Sequence, residues 1–229
     1  MILHNVLLLE LICNMFEELY SLSKKFPLYY VGGYVRHHIL SRVTHDLDLA
    51  IDAPLTQWLP IIKTFSPYVS QHYESCSFRA GEYHYTISRM RQDRDCDGRN
   101  ANIIPTHDLL VDALRRDFTI NAIYMTLDYK IIDPIGDGVS DLYHRIVRFI
   151  GDPRQRMLED QLRILRYFRL CAWLDVDPDS EIIQIAQEFL PLNKIPIERK
   201  RYEWKLIKNM NPPYLKDIER FYIVITSVA

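Results

Sequence analysis

The chain has 229 residues, of which 48% are hydrophobic and 25% charged, and 28 basic against 30 acidic residues give a net charge of −2. These values are typical of globular proteins and exclude a disordered, collagen-like or coiled-coil chain. The length suits one large or two small domains, and no apolar stretch reaches the roughly 20 residues that cross a bilayer. The apolar residues 1–16 include Glu10 and lack a basic segment and a cleavage site, which predicts a buried amphipathic helix rather than a signal peptide.

The cysteines lie far apart and form no Cys-x-x-Cys pair: Cys13, Cys76, Cys96 and Cys171. This spacing predicts neither structural zinc nor a disulfide framework, so we expect reduced thiols and a cytoplasmic location. Basic residues are concentrated in residues 145–169 and 194–208. A local basic face is sufficient for a nucleic-acid partner, so the small net charge does not exclude one.

The first half of the chain is predicted to contain short strands and helices. Helices are predicted over residues 1–25, 36–40, 55–65 and 109–113. Strands are predicted over residues 28–31, 45–51, 68–73, 77–79, 83–90, 119–127 and 130–133. The polar residues 92–102 predict a loop.

From residue 141 onward the spacing of apolar residues is helical. Helices are predicted over residues 141–146, 155–173, 180–190 and 197–208. A β-rich part followed by a helical part predicts an α+β fold, with a small mixed sheet, flanking helices and then an all-helical segment.

Two carboxylates alternate with leucines in the strand predicted over residues 45–51. The side chains of Asp46 and Asp48 therefore project from one face, about 7 Å apart along the strand. Carboxylate oxygens suit the hard cation Mg²⁺, and the upstream Gly32-Gly33 turn lets backbone N–H groups approach a triphosphate. The tripeptide by itself favours an ordinary solvent-facing strand, because Asp-x-Asp is common on such faces.

The longer pattern resembles the class II tRNA nucleotidyltransferase/poly(A) polymerase family. Its first motif is similar to residues 28–36 with 45–50, and four further motifs follow in family order at residues 114–122, 133–138 with 141–142, 159–166, and, more weakly, 197–199 with 203. The resemblance covers about residues 25–208. It implies a nucleotidyltransferase head at residues 1–138, a nucleotide-selecting helical neck at 139–210 and a short remnant of the body at 211–229.

In this family the two aspartates of the first motif are catalytic and hold the metal ions, which implies that Asp46 and Asp48 bind Mg²⁺ here. One ion activates the 3′-hydroxyl of an RNA, and the other binds the triphosphate and stabilises the leaving pyrophosphate. The resemblance also implies that Gly32, Gly33 and Arg36 contact the incoming nucleotide.

The second motif implies that Arg116 neutralises phosphate charge, for which a guanidinium is well shaped. Asp117 is expected to accept a hydrogen bond from the ribose or to fix Arg116, with a purely structural Arg–Asp pair as the alternative. Asn121 is expected to be architectural.

Asp160 and Arg163 are three residues apart in a predicted helix, so they are expected to share one face. The carboxylate can accept from the exocyclic amine of cytosine or adenine while the guanidinium donates to the same base edge. Guanine and uracil present a carbonyl there, and the unpaired carboxylate costs on the order of 1–3 kcal/mol. Arg166 and Arg169 are expected to contact phosphates or to brace Asp160, with an exposed basic helix as the alternative.

The sequence departs from the family pattern at three places. His37 replaces an aspartate that supports the glycine turn, and Thr86 aligns with a third acid on the neighbouring strand, so the metal affinity is expected to fall. Glu82 or Asp52 is a possible compensation. The chain also ends soon after the fifth motif, and the apolar residues 221–225 are expected either to pack on the neck or to form a self-association surface.

These features favour an enzyme that adds C and/or A nucleotides from CTP and ATP to the 3′ end of tRNA. A poly(A) polymerase, or an enzyme that adds only CC or only A, shares all of the motifs. A catalytically weakened RNA- or nucleotide-binding remnant is the alternative from a different class. No membrane partner is expected, while a homodimer and a separate tRNA-binding partner are both open.

Overall fold

A computed structural model describes residue 15 and residues 17–62, 65–94 and 102–222. The chain divides into two compact units. The first, the sheet unit, draws on Met1–Asp93, Ile103–Arg116 and Ile120–Val139. The second, the helical unit, draws on Arg94–Asn102, Asp117–Thr119 and Ser140–Ala229. In the part of the chain that is described, no helix is both long and apolar enough to cross a membrane.

The described strands are β1 (Leu28–Val31), β2 (Asp46–Ile51), β3 (Tyr68–Ser70), β4 (Ser75–Ala80), β5 (Tyr83–Arg89), β6 (Arg91–Arg94), β7 (Asn102–Pro105), β8 (Tyr124–Thr126) and β9 (Ile131–Ile132). Seven of them form one sheet in the order β3-β4-β5-β2-β1-β8-β9, and β6 pairs with β7. β2 lies inside the sheet, parallel to β5 and antiparallel to β1. The sheet is therefore mixed, as predicted.

Residues 17–25 are helical (α1). The other described helices are α2 (Gly33–Ile39), α3 (Leu55–Ile62), α4 (Leu109–Leu114), α5 (Gly138–Tyr143), α6 (Pro153–Glu159), α7 (Leu162–Leu174), α8 (Ser180–Gln187), α9 (Ile197–Met210) and α10 (Leu215–Tyr222). The predicted succession of a sheet with flanking helices and then helices alone is confirmed. Residues 1–14 of the first predicted helix lie outside the described residues.

Two predictions of local structure before residue 141 were wrong. The predicted loop over residues 92–102 contributes to β6 and β7 at its ends, while residues 95–101 lie outside the described residues. The predicted strand over residues 119–127 begins with a 3₁₀ turn at Thr119–Asn121 and is extended only at β8. At that turn, Thr119 bonds to Asp141 and Asn121 bonds to Arg36. These partners are far away in the sequence, so the alternation of polar and apolar residues gives no sign of them.

The predicted helix over residues 155–173 is two helices, α6 and α7, separated at Asp160. This residue is extended (φ −152°, ψ 105°), and its carboxylate accepts the backbone N–H of Leu162 at 2.9 Å. A short carboxylate competes with the helical backbone in this way, so aspartate favours the ends of helices. The prediction that Asp160 and Arg163 share one helical face was therefore wrong, because only Arg163 is within a helix.

The end of the described chain packs inside the helical unit. The ring of Phe221 on α10 lies 4.9 Å from that of Phe168, and the Tyr222 hydroxyl donates to the Leu165 carbonyl at 3.0 Å. Phe221 and Tyr222 are buried, so of the two expectations for residues 221–225 these two residues pack against the helices rather than form a free surface. Residues 223–225 lie outside the described residues. Cys76 and Cys171 are buried and not disulfide-bonded, as predicted, while Cys13 and Cys96 lie outside the described residues.

A buried carboxylate ties α4 to the sheet. Asp112 is fully buried and accepts hydrogen bonds from Arg116 at 2.9 Å, Arg115 at 2.8 Å and the Arg91 backbone N–H at 3.0 Å. The hydroxyl of Tyr124, at the start of β8, also donates to it. Burial alone would raise the pKa of Asp112, but the guanidinium groups of Arg116 and Arg115 hold that pKa well below its usual value.

We expect Asp112→Asn to lower the free energy of unfolding by about 3–5 kcal/mol at neutral pH, since it leaves two largely buried guanidinium groups without their anion. Urea titration followed by circular dichroism measures this loss. The folded pKa lies below the unfolded value of about 3.9, so the carboxylate stabilises fully above that pH and loses its effect as the pH falls further. The difference between wild type and variant should thus be equal at about pH 6 and pH 8 and shrink below about pH 4.

Asp128→Asn is the matched control, because Asp128 carries the same carboxylate on the surface, where it pairs with Lys130. Its unfolding midpoint should match that of the wild type. An Asp112→Asn protein as stable as this control would show that the buried network does not hold α4.

Candidate active site

Strand β2 presents two carboxylates on one side and buries leucines on the other. Asp46 and Asp48 are exposed, whereas Leu47 and Leu49 are buried. The Asp46 side chain is 80% exposed, and its Oδ1 lies 3.6 Å from Nδ1 of His84 on β5. The strand periodicity therefore places both predicted metal ligands on one accessible face, as expected.

Strand β5, next to β2, carries the hydroxyl of Thr86 at the position where the family pattern has a third acid. In the parallel register of β2 with β5, Thr86 pairs with Asp48 and His84 with Asp46. Among the described residues, no group of three or more histidine, cysteine, aspartate and glutamate side chains is arranged to hold a metal ion. The two considered substitutes pair with histidines instead, Glu82 with His45 at 3.5 Å and Asp52 with His107 at 2.6 Å. The structure thus does not support compensation by either acid.

The donor set of β2 fits a hard divalent cation. Two carboxylates in an exposed position match the way Mg²⁺ is commonly bound, through one or two carboxylates with substrate phosphates and water as the other ligands. A hydroxyl such as that of Thr86 is a weaker ligand than a carboxylate. The residues present therefore fit a divalent metal ion whose remaining ligands come from outside the protein.

The glycine turn between β1 and α2 lies against the second carboxylate. Gly32 has φ +70°, a left-handed conformation that favours glycine, and a Cβ at this position would lie 3.6 Å from Oδ2 of Asp48. His37 donates from Nδ1 to the Gly33 carbonyl at 2.7 Å. Burial lowers the pKa of His37, so the ring is neutral at pH 7. A neutral histidine thus supports the turn at the position where the family has an aspartate.

Arg36 is held in place inside the sheet unit. Its side chain is buried, and its guanidinium donates to the side-chain oxygen of Asn121. A Cβ added at Gly33 would lie 3.9 Å from Nη2 of Arg36, so this guanidinium is next to the glycine turn. Asn121 therefore has the architectural contact that was expected of it.

Arg116 belongs to the network around Asp112. Its Nη2 lies 2.9 Å from that carboxylate, its Nε donates to the Tyr124 hydroxyl at 2.9 Å, and its guanidinium lies over the Tyr124 ring. Asp112, four residues before it, thus orients this arginine, and Asp117 bonds to Arg166 in the helical unit.

In the helical unit, a glutamate orients the predicted base-reading arginine. Nη1 of Arg163 donates to Glu159 at 2.7 Å and to the Arg156 carbonyl at 2.9 Å, and Arg156 also pairs with Glu159 at 2.6 Å. Arg163 is buried, and the half-buried Asp160 stands at the break between the two helices. The shared glutamate holds both guanidinium groups at the junction of α6 and α7.

Acids also surround the next arginines of α7. Arg166 bonds to Asp117 at 3.1 Å, and Arg169 bonds to Glu203 of α9 at 2.6 Å. Burial by itself would lower the pKa of Arg166, but the carboxylates of Asp117, Glu203 and Asp160 raise it above its usual value. The negative charge of Asp160 thus contributes to keeping the Arg166 guanidinium charged.

Three acids that orient these arginines were not singled out for that role: Asp112, Glu159 and Glu203. Asp112 and Glu159 could have been found from the sequence, because each precedes its arginine by four residues, the spacing of ion pairs along a helix. Glu203 is 34 residues from Arg169 and had no such signal.

Comparison with known proteins identifies similar enzymes. A CCA-adding enzyme of Staphylococcus epidermidis is 29% identical over 89% of this chain and 55% of its own length, and one of Pediococcus pentosaceus is 34% identical over 79% and 46%. The chain thus spans about half the length of these curated relatives.

Solved structures show the same fold. The Bacillus stearothermophilus CCA-adding enzyme in complex with CTP has a TM-score of 0.69 at 28% identity, over 83% of this chain and 46% of that one. The Thermotoga maritima CCA-adding enzyme complexed with tRNA has a TM-score of 0.68 at 21% identity, over 87% and 47%.

A family model also matches, that of the poly A polymerase head domain, over residues 28–148. Because the match takes in more than half of the chain and contains β2, its two carboxylates and the glycine turn, the protein belongs to the poly A polymerase head domain family.

Proposed function

We propose that this protein is a template-independent nucleotidyltransferase that adds C and/or A nucleotides from CTP and ATP to the 3′ end of tRNA. The observation that carries the proposal is the pair of exposed carboxylates on β2 beside the left-handed Gly32 turn. Membership of the family and similarity to CCA-adding enzymes support it.

Asp46 and Asp48 are proposed to be the catalytic residues and to hold Mg²⁺. When bound, the metal ions supply a Lewis acid for the phosphates and make the 3′-hydroxyl of the RNA more acidic. The exposure of the Asp46 carboxylate leaves room for ligands from the nucleotide. Divalent metal fits the chemistry of the site, and Mg²⁺ in particular is the proposal.

Gly32, Gly33 and Arg36 are proposed to contact the triphosphate. The left-handed turn leaves no side chain between the backbone and Asp48, and Arg36 brings a fixed positive charge next to it. Arg116 is proposed to add positive charge for the phosphates. Its orientation by Asp112 and Tyr124 means that little side-chain entropy is lost on binding.

Asp160 and Arg163 are proposed to read the base edge. One carboxylate oxygen of Asp160 accepts the Leu162 N–H, and a carboxylate has a second oxygen to accept from the amine of cytosine or adenine. The five N–H donors of Arg163 allow it to keep Glu159 while it donates to a base. Asp117, Arg166 and Arg169 are proposed to keep this region charged and ordered.

We propose that the chain is divided by function into three parts. Residues 1–138 are proposed to act as the catalytic head, 139–210 as the nucleotide-selecting neck and 211–229 as a short part of the body. A cytoplasmic location, a homodimer and a separate tRNA-binding partner remain predictions from the sequence.

The activity is tested with Mg²⁺, labelled CTP or ATP, and tRNAs that end before CCA, after CC or after the complete CCA. We expect incorporation that stops at CCA, and we expect Asp46→Asn and Asp48→Asn each to reduce it by at least about 100-fold, since each removes a metal-binding charge. Unlimited addition of A would indicate a poly(A) polymerase instead. No incorporation at micromolar wild-type enzyme would contradict the proposal and favour a binding remnant.

Base choice is tested at Asp160 with two variants. Asp160→Asn retains an oxygen for the Leu162 N–H but adds a donor, so we expect it to accept UTP and GTP with an unchanged melting temperature. Asp160→Ala should relax base choice too, and it should lower the melting temperature by about 2–4 °C because a side-chain hydrogen bond to the backbone worth about 1 kcal/mol is lost. Equal losses with all four nucleotides would contradict base reading, whereas relaxed choice with unaltered Mg²⁺ dependence agrees with it.

The missing third acid is tested by Thr86→Glu. A carboxylate opposite Asp48 should lower the Mg²⁺ concentration for half-maximal activity several-fold, since more carboxylates bind the ion more tightly. Tyr68→Glu adds the same charge at an exposed position on β3, three strands or about 14 Å from β2, and should leave the Mg²⁺ dependence unchanged. Equal effects of the two variants would show that only net charge matters.

A further inference from the structure

Helix α9 carries a row of exposed cations that no family motif explains. Arg201, Lys205 and Lys208 follow one another at spacings of four and three residues, so they lie along one side of the helix. All three are exposed. We call these three residues the basic stripe.

The cations of the stripe differ from the arginines of the site in their pairing. Ion pairs in the described part of the helical unit involve Asp117, Asp141, Glu159, Glu188 and Glu203 as the acids. None of these pairs includes a residue of the stripe. No carboxylate of the described helical unit thus forms an ion pair with this row.

The opposite side of α9 is fixed to the helical unit. Glu203 is buried and bonds to Arg169 at 2.6 Å, Ile207 is buried, and Lys200 donates to the Pro191 carbonyl at 3.1 Å. These contacts set the rotation of the helix about its axis. The stripe therefore stays exposed, because the helix cannot turn about its axis without breaking the bond between Arg169 and the buried Glu203.

An exposed aromatic side chain accompanies the stripe. Tyr202 is 63% exposed and follows Arg201 directly, and the ammonium group of Lys208 lies 5.9 Å from the centre of the Trp204 ring. Rows of cations with interleaved aromatic rings are typical of surfaces that bind nucleic acid, since the cations neutralise phosphates and the rings stack on bases or riboses.

The neighbouring helix α10 shows the contrast. Its two exposed cations, Lys216 and Arg220, are balanced by the two exposed acids Asp217 and Glu219, so this helix carries no net charge. A polyanion is thus attracted to α9 and not to α10.

We propose that the basic stripe binds the sugar–phosphate backbone of the RNA substrate. The proposal rests on the proposed function, and it deepens it by assigning RNA contact to residues outside the motifs of the family. Because only phosphates and riboses are recognised, the contact is independent of RNA sequence, while Asp160 and Arg163 select the nucleotide. Three cations neutralise up to three phosphates, each of which adds about 0.7–0.9 to the slope of log affinity against log salt concentration.

The test compares two double variants that each remove one arginine and one lysine. Arg201→Gln/Lys205→Gln alters the stripe, and Arg220→Gln/Lys216→Gln alters α10. Binding of a fluorescent RNA stem-loop with a single-stranded 3′ end is followed by anisotropy over a series of salt concentrations in EDTA. We expect the stripe variant to bind about 10-fold or more weakly at roughly 0.1 M salt, with a slope reduced by about 1.4–1.8, and the α10 variant to match the wild type.

Two further measurements separate this inference from the proposed function. The stripe variant should retain CTP binding without RNA, and in the incorporation assay its KM for RNA should rise while its KM for CTP is unchanged. If both variants bind RNA as tightly as the wild type, with equal salt slopes, the proposed RNA contact of the stripe is wrong and the proposed activity is unaffected. Stripe-dependent RNA binding without any incorporation would support the stripe and overturn the activity. Wild-type protein that binds no RNA would overturn both.

Discussion

The pleat of strand β2 is the constraint on which the arrangement of this protein depends. Leu47 and Leu49 are buried inside the sheet, so the carboxylates of Asp46 and Asp48 face the other way. A shift of the strand by one residue would bury both acids and expose both leucines, which the hydrophobic effect opposes. The core of the sheet unit thus places the candidate metal ligands as a direct result of folding.

The same strand explains how a departure from the family pattern is accommodated. Its register with β5 sets Thr86 beside Asp48, where a hydroxyl is available in place of an acid. The replacement by His37 at the glycine turn keeps a supporting contact, because His37 donates a hydrogen bond to the Gly33 carbonyl. One replacement thus removes a potential ligand, while the other retains support of the turn by different chemistry.

The basic side chains of this structure fall into two groups, those bonded to other side chains and those exposed to solvent. Those of the candidate site are each held by a side-chain oxygen, as Arg163 is by Glu159, Arg116 by Asp112 and Arg36 by Asn121, and are therefore in position before a substrate binds. The cations of α9 point to solvent without such partners in the described helical unit. Fixed guanidinium groups suit recognition of a single nucleotide, whereas a row of exposed cations suits a long polyanion whose phosphates repeat.

Local patterns in the chain were enough to predict the strand that carries the acids, the glycine turn before it and the change from sheet to helices, because alternation and turn residues act over a few positions. The break at Asp160 was missed, since apolar periodicity on both sides hid the competition between its carboxylate and the helical backbone. The pairing of Arg169 with Glu203 and the rotation of α9 that follows from it came from tertiary packing alone. Residues 34 positions apart meet only after the helices have packed, and no short-range rule encodes that contact.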